Sequence, residues 1–141
     1  MTRRNALVFI AVSALSCLLV ATAEAELFVT VGHPRISGTK AIVPLALKNN
    51  FPDKVESARA VIFLLDEQGK VAGQATRWVI GLSNTNGLAV GATNIFHFVI
   101  AADKPFTTTN LTPKVSFSRV VLEGGKLADV AKDVTVTPCT K

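Results

Sequence analysis

The side chains best suited to acid–base, nucleophilic or soft-metal chemistry are scarce in this sequence: two histidines, His33 and His97, and two cysteines, Cys17 and Cys139. A hydrolytic site needs a nucleophile, a base and a group that orients the base. Only His33 and His97 offer an imidazole. His97 sits between Phe96 and Phe98 in TNIFHFVIA (residues 93–101), where an outward-facing strand residue accounts for it more simply than catalysis does. His33 precedes Pro34, as a surface turn histidine would. Neither Gly-x-Ser-x-Gly nor His-Glu-x-x-His occurs. A metal site would have to gather His33, His97 and Cys139 or an aspartate from distant parts of the chain. Met1 is the only methionine, so a Met-rich copper site is excluded. Asp66 and Glu67 are a single acidic pair at a turn, too few for calcium. No catalytic, metal or cofactor-binding residue is therefore assigned, and no cofactor is expected. A small envelope metal-binding or hydrolytic protein centred on His97 stands as an alternative.

The elements that would position any site lie downstream of a leader. Arg3 and Arg4 precede an apolar stretch over residues 6–21, and Ala23-Glu24-Ala25 supplies a small-x-small cleavage pattern. The stretch falls short of the ~20 residues of a spanning helix. Residues 1–25 are thus expected to be a cleaved signal peptide and residues 26–141 the working domain, periplasmic or extracellular, with no transmembrane segment after cleavage. Losing Arg3, Arg4 and Glu24 takes the net charge from +5 to +4. The cations are scattered, with no basic run or helix, which argues against nucleic acid. Cys17 leaves with the leader, so Cys139 has no internal disulfide partner and the fold must rest on its core. Cys139 itself reads either as a thiol that pairs with another chain or, more simply, as an idle thiol on a mobile tail.

The central stretch is residues 58–79, ARAVIFLLDEQGKVAGQATRWV. An apolar run meets Asp66-Glu67-Gln68-Gly69 and an alternating run follows, a hairpin whose turn closes with a glycine bulge. In the first arm Ala60, Ile62 and Leu64 share one face; Val61, Phe63 and Leu65 share the other. Two apolar faces point to a central strand. Further strands fall at residues 26–31, 40–48, 93–101 and 114–123. Pro44 implies that 40–48 is an edge strand or carries a bulge. In 114–123 Val115 and Phe117 set one phase and Val120 and Leu122 the other, so a bulge near Ser118 and Arg119 is expected. Gly124-Gly125 predicts a two-residue primed turn, and residues 126–136 a strand with a helix-like first half. These elements make an all-β chain: an immunoglobulin-like antiparallel β-sandwich of about seven strands without an internal disulfide.

The series Lys48-Asn49-Asn50, then Ala60 to Asp66, then Gly69-Lys70-Val71 resembles the secreted bacterial FxLYD domain. Leu64 and Asp66 match that family's Leu and Asp, whereas Ile62 and Leu65 replace its Phe and Tyr. The resemblance spans about half of residues 26–141. It implies an immunoglobulin-like envelope domain without catalytic residues.

Function is therefore expected from surfaces. The second apolar stripes, Val61, Phe63 and Leu65 on one strand and Ile95, His97 and Val99 on another, are either an interface or are covered by residues 81–92 through Leu82, Leu88 and Val90. Trp78 beside Arg77 offers a stacking surface. The expected role is a non-enzymatic binding or structural module acting through a sheet face, an edge or its loops. Its partner is another envelope protein or a second copy. A strand-exchanging, pilus-like subunit is the third reading, and it requires an incomplete sandwich with an open groove.

Overall fold

The computed structural model describes residues 26–81 and 86–139. The leader expected at residues 1–25 lies outside the described residues. The described chain is all-β, with nine strands. These are β1 (Leu27–Val31), β2 (Arg35–Ser37), β3 (Lys40–Asn49), β4 (Val55–Leu65), β5 (Val71–Ile80), β6 (Thr93–Ala101), β7 (Thr112–Leu122), β8 (Lys126–Leu127) and β9 (Val134–Thr137). A five-stranded sheet runs β2-β3-β1-β9, with β6 on the other side of β3; a four-stranded sheet runs β5-β4-β7-β8. The two pack as a sandwich. β2 and β8, too short to show periodicity, account for the excess over seven strands. One pairing departs from the antiparallel expectation: β9 lies parallel to β1.

Alternation decides which side chains meet between the sheets. Leu27, Val29 and Val31 of β1, Val43, Leu45 and Leu47 of β3, and Phe98 and Ile100 of β6 are buried from one side. Ala58, Ala60, Ile62 and Leu64 of β4, with Phe117, Val120 and Leu122 of β7, are buried from the other. Phe51, Leu88 and Leu111 come from loops and are buried too. Among the described residues there is no disulfide. At one side the sheets approach closely: a Cβ on Gly73 of β5 would meet Ile100 Cγ2 at 3.2 Å and the Phe106 ring at 3.4 Å.

The central hairpin forms as its residues require. β4 has β5 on one side and β7 on the other. Asp66 makes the turn: its carbonyl accepts from Gly69 N at 3.0 Å, and its Oδ1 accepts from Gln68 N and Lys70 N at 2.9 Å each. Gly69, at φ 80°, takes the left-handed position. The phase break in β7 is the expected bulge: Arg59 pairs with Arg119 and Ala60 with Phe117, so Ser118 is the extra residue.

Three local expectations change. β3 is not an edge strand; it has β6 on one side and β1 and β2 in succession on the other. Pro44 is tolerated because its carbonyl, which accepts from Gly32 N at 2.8 Å, points to the gap where β1 gives way to β2. The imino nitrogen shares that side, so no ladder hydrogen bond is lost. The connection after β7 has three residues, Glu123, Gly124 and Gly125, since Leu122 pairs with Lys126. Residues 128–133 are neither helix nor strand. Asp129 holds a turn there, its carbonyl accepting from Asp133 N at 2.7 Å and its Oδ1 from Ala131 N at 3.0 Å. That turn carries the chain from β8 in one sheet to β9 in the other.

Gly32 has little room for a side chain: a Cβ there would stand 2.5 Å from Pro44 Cγ, on a rigid ring. Gly32→Ala is expected to cost about 1–3 kcal/mol, the usual range for overpacking, read as a lower urea midpoint at unchanged slope. A midpoint equal to wild type would mean that the β1–β2 bend relaxes freely.

Candidate functional site

The expected interface residues divide between the two outer faces of the sandwich. Val61, Phe63, Leu65 and Trp78 face outward from the four-stranded sheet and are half-buried. Ile95, His97 and Val99 face outward from the five-stranded sheet, where Ile95 is 60% exposed. The two sets do not form one patch. Residues 81–92 supply no cover that the described side chains show. Leu88 is buried in a bridge to Val55 and Val90 is exposed, while Leu82 lies outside the described residues. The stripe on β4 is half-buried for a simpler reason. Val61 has Thr76 and Ser116 as lateral neighbours, and Phe63 has Gln74 and Lys114.

His97 pairs across the sheet with Pro44, and no described hydrogen bond or ion pair holds its ring. The structure does bring His33 to Cys139, with Nδ1 and Sγ 3.0 Å apart. They border a cavity of about 140 Å³ together with Pro34, Asn110 and Leu111. Cys139 is thus docked against the turn after β1. Among the described residues no three metal-ligating side chains gather. β9 occupies the edge of β1, and beside it lies an apolar groove of about 310 Å³ bounded by Val31, Leu65, Val115 and Val136. Among the described residues no helix is long and apolar enough to cross a membrane.

Trp78 is paired differently from the expectation. Arg77 and Trp78 are sequence neighbours on a strand, so they point to opposite faces. Arg77 turns toward β6, its Nε donating to Val99 O at 3.0 Å and covering part of that edge. The cation over Trp78 is Arg59 of β4, with its guanidinium carbon 5.8 Å from the ring centroid. Arg59 Nε also donates to Ser118 Oγ at 3.1 Å. On the other flank Arg59 is the register partner of Arg119. Arg119 is exposed, and no described hydrogen bond or ion pair engages it.

This cluster is built by two irregularities that meet at one residue. β5 breaks register between Ala58 and Arg59, leaving Val79 extra; β7 breaks it between Arg59 and Ala60, leaving Ser118 extra. A bulge turns consecutive side chains to one side and re-aims them. Hence Ser118 and Arg119 are both exposed while Phe117 and Val120 on either side are buried. Sequence reasoning located the bulge but missed Arg59, which precedes the apolar run and lacks any local signal.

Charge is segregated. Among the described residues Glu56 is the only carboxylate within a strand; the others lie in loops and turns. Outward-facing strand positions carry Arg59, Lys114 and Arg119 on one sheet and Arg35, Lys40 and Lys48 on the other. The one described salt bridge, Lys126 to Asp53 at 3.7 Å, lies away from both stripes. Comparison of the chain with protein-family models and with curated proteins finds no match.

Proposed function

We propose that this protein is a non-enzymatic binding module of the bacterial envelope, periplasmic or extracellular, which docks an anionic partner on the outer face of its four-stranded sheet. The carrying observation is the composition of that face. An apolar stripe, Val61, Phe63 and Leu65, runs down the central strand, and the charges flanking it are the cations Arg59, Lys114 and Arg119; the one described strand carboxylate, exposed Glu56, lies at the opposite end of β4 from the stripe. Apolar contact supplies area and the cations select the sign of the partner. The strand pairing supports an immunoglobulin-like wiring. In that reading β1, β3 and β6 take the places of strands A, B and E of one sheet, and β4, β5 and β7 those of C, C′ and F of the other. The likeness of residues 48–71 to FxLYD domains points the same way, and the leader-like residues 1–25 support export.

The test sets the two outer faces against each other. Phe63→Asp and Val99→Asp each place a carboxylate on one face, and each is expected to cost about 1 kcal/mol, since both side chains are only half-buried. Partner capture by crosslinking in the native envelope should fail for Phe63→Asp and persist for Val99→Asp, both proteins retaining a strand-type dichroism spectrum. Equal capture by both would refute the assignment of the face.

A further inference from the structure

We infer that Arg59 and Arg119, with Arg59 held in place by Ser118 and Trp78, form a seat for a phosphoryl oxyanion carried by the partner, an inference that rests on the docking face proposed above. Two arginines directly opposite one another on adjacent strands repel, and such like-charge pairs destabilise a sheet. Here the pair stands without a carboxylate, and both neighbouring strands depart from regular pairing at the same residue to create it. Bulges of this kind concentrate where a side chain is re-aimed for use.

The arrangement is also prepared for a ligand. The Trp78 ring and Ser118 Oγ hold Arg59 through one ring contact and its Nε. The Nη groups then remain to donate, as no described acceptor meets them. Arg119 is wholly uncommitted among the described residues. A guanidinium fork binds two oxygens of one anion. One carboxylate is satisfied by one fork; two forks match an anion with more than two oxygens and more than one charge, such as a phosphoryl group, while the Ser118 hydroxyl is spent on Arg59, accepting from its Nε and donating to its carbonyl at 3.4 Å. On the five-stranded face no two cations are register partners: Arg35 stands opposite Ile42, Lys40 opposite Ser37 and Ala101, and Lys48 opposite Phe28 and Thr93. Phosphate can reach the seat on a lipid headgroup or on a soluble molecule.

Trp78 is the only tryptophan of the chain, so its fluorescence reports on the seat. The mature chain is titrated with inorganic phosphate at constant ionic strength, with chloride replaced in step, and in parallel with acetate. A saturable response to phosphate, stronger than to acetate, is expected. Arg119→Gln should weaken it about tenfold, the value of one charge-assisted hydrogen bond. Arg119→Lys should fall between, and Lys48→Gln should leave it unchanged. Because Arg119 touches no described partner, its variants are expected to fold as wild type. Sedimentation with phosphatidylglycerol–phosphatidylcholine vesicles separates the sources. Vesicle binding lost in Arg119→Gln assigns a lipid headgroup, and phosphate binding without vesicle binding assigns a soluble ligand.

No saturable phosphate response, a preference for acetate, or equal weakening by Lys48→Gln overturns the seat. If Phe63→Asp loses the envelope partner while Arg119→Gln keeps it, the seat falls and the docking face stands. If Arg119→Gln abolishes phosphate binding while Phe63→Asp keeps its partner, the seat stands and the docking face falls.

Discussion

Asn49→Ala is expected to lower the unfolding free energy by about 3–5 kcal/mol, the largest effect of any polar substitution among the described residues. Asn49 is fully buried at the end of β3 and is the one buried polar residue of the described core. Its Nδ2 donates to Asp53 O at 3.0 Å and to Leu88 O at 2.9 Å, and its Oδ1 accepts from Phe51 N at 2.8 Å. One side chain thus ties together the loop after β3 and the segment around Leu88. Its own backbone does the same, since Asn49 N donates to Ala92 O and Asn49 O accepts from Gly91 N. Truncation strands the Phe51 N–H, at a cost of about 1–3 kcal/mol where water cannot enter, takes the donor from part-buried Asp53 O, leaves Leu88 O with only Val55 N, and empties the space of the amide. Asn49→Asp should be at least as costly, because a carboxylate oxygen would face the Leu88 carbonyl. Asn50, which is exposed, supplies the control: Asn50→Ala should stay within about 0.5 kcal/mol. Urea denaturation at constant slope measures all three. A loss below about 1 kcal/mol for Asn49→Ala would mean that water replaces the amide, and the buried network would not be a structural tie.

The second large effect is expected at Phe51→Ala, again about 3–5 kcal/mol, the range for a phenylalanine removed from a packed core. Phe51 lies outside any strand, yet it is 1% exposed and ranks among the largest fully buried side chains. It belongs to the same buried cluster as Val55 and Leu88, which bridge one another. For a domain of this size such a loss lowers the melting temperature by more than about 10 °C. Phe63→Ala, on the outer stripe, should cost only about 1 kcal/mol because the ring is already half in water. If Phe51→Ala and Phe63→Ala melt together, loop burial has been misjudged. Asn49 Oδ1 holds the backbone N–H that presents the Phe51 ring to the core, so once Asn49 is truncated the ring has less packing left to lose and the double variant should fall short of the sum of the single effects.

Much of the candidate site was within reach of local pattern. The β4 stripe, the half-exposed Trp78 and the bulge at Ser118 are all consequences of period-two alternation or of its failure, and alternation is a property of neighbouring residues. Arg59 was out of reach because its meaning comes from three residues in other strands, Trp78, Ser118 and Arg119. The pairing of His33 with Cys139, 106 positions apart, was equally hidden, for a tail cysteine and a turn histidine share no local pattern. Pro44 misled for the same reason: its missing donor matters only on the side where a partner strand lies.

By itself the sequence determined the long strands, where the central hairpin turned and where β7 had to slip. Those features follow from turn chemistry and from side chains two positions apart. Only the tertiary structure decided that the two apolar stripes face opposite ways, that a loop phenylalanine and an asparagine are buried, and that two arginines meet beside a tryptophan. Each of these depends on which strands pair and in what register, and pairing joins residues whose separation along the chain leaves no trace in its periodicity.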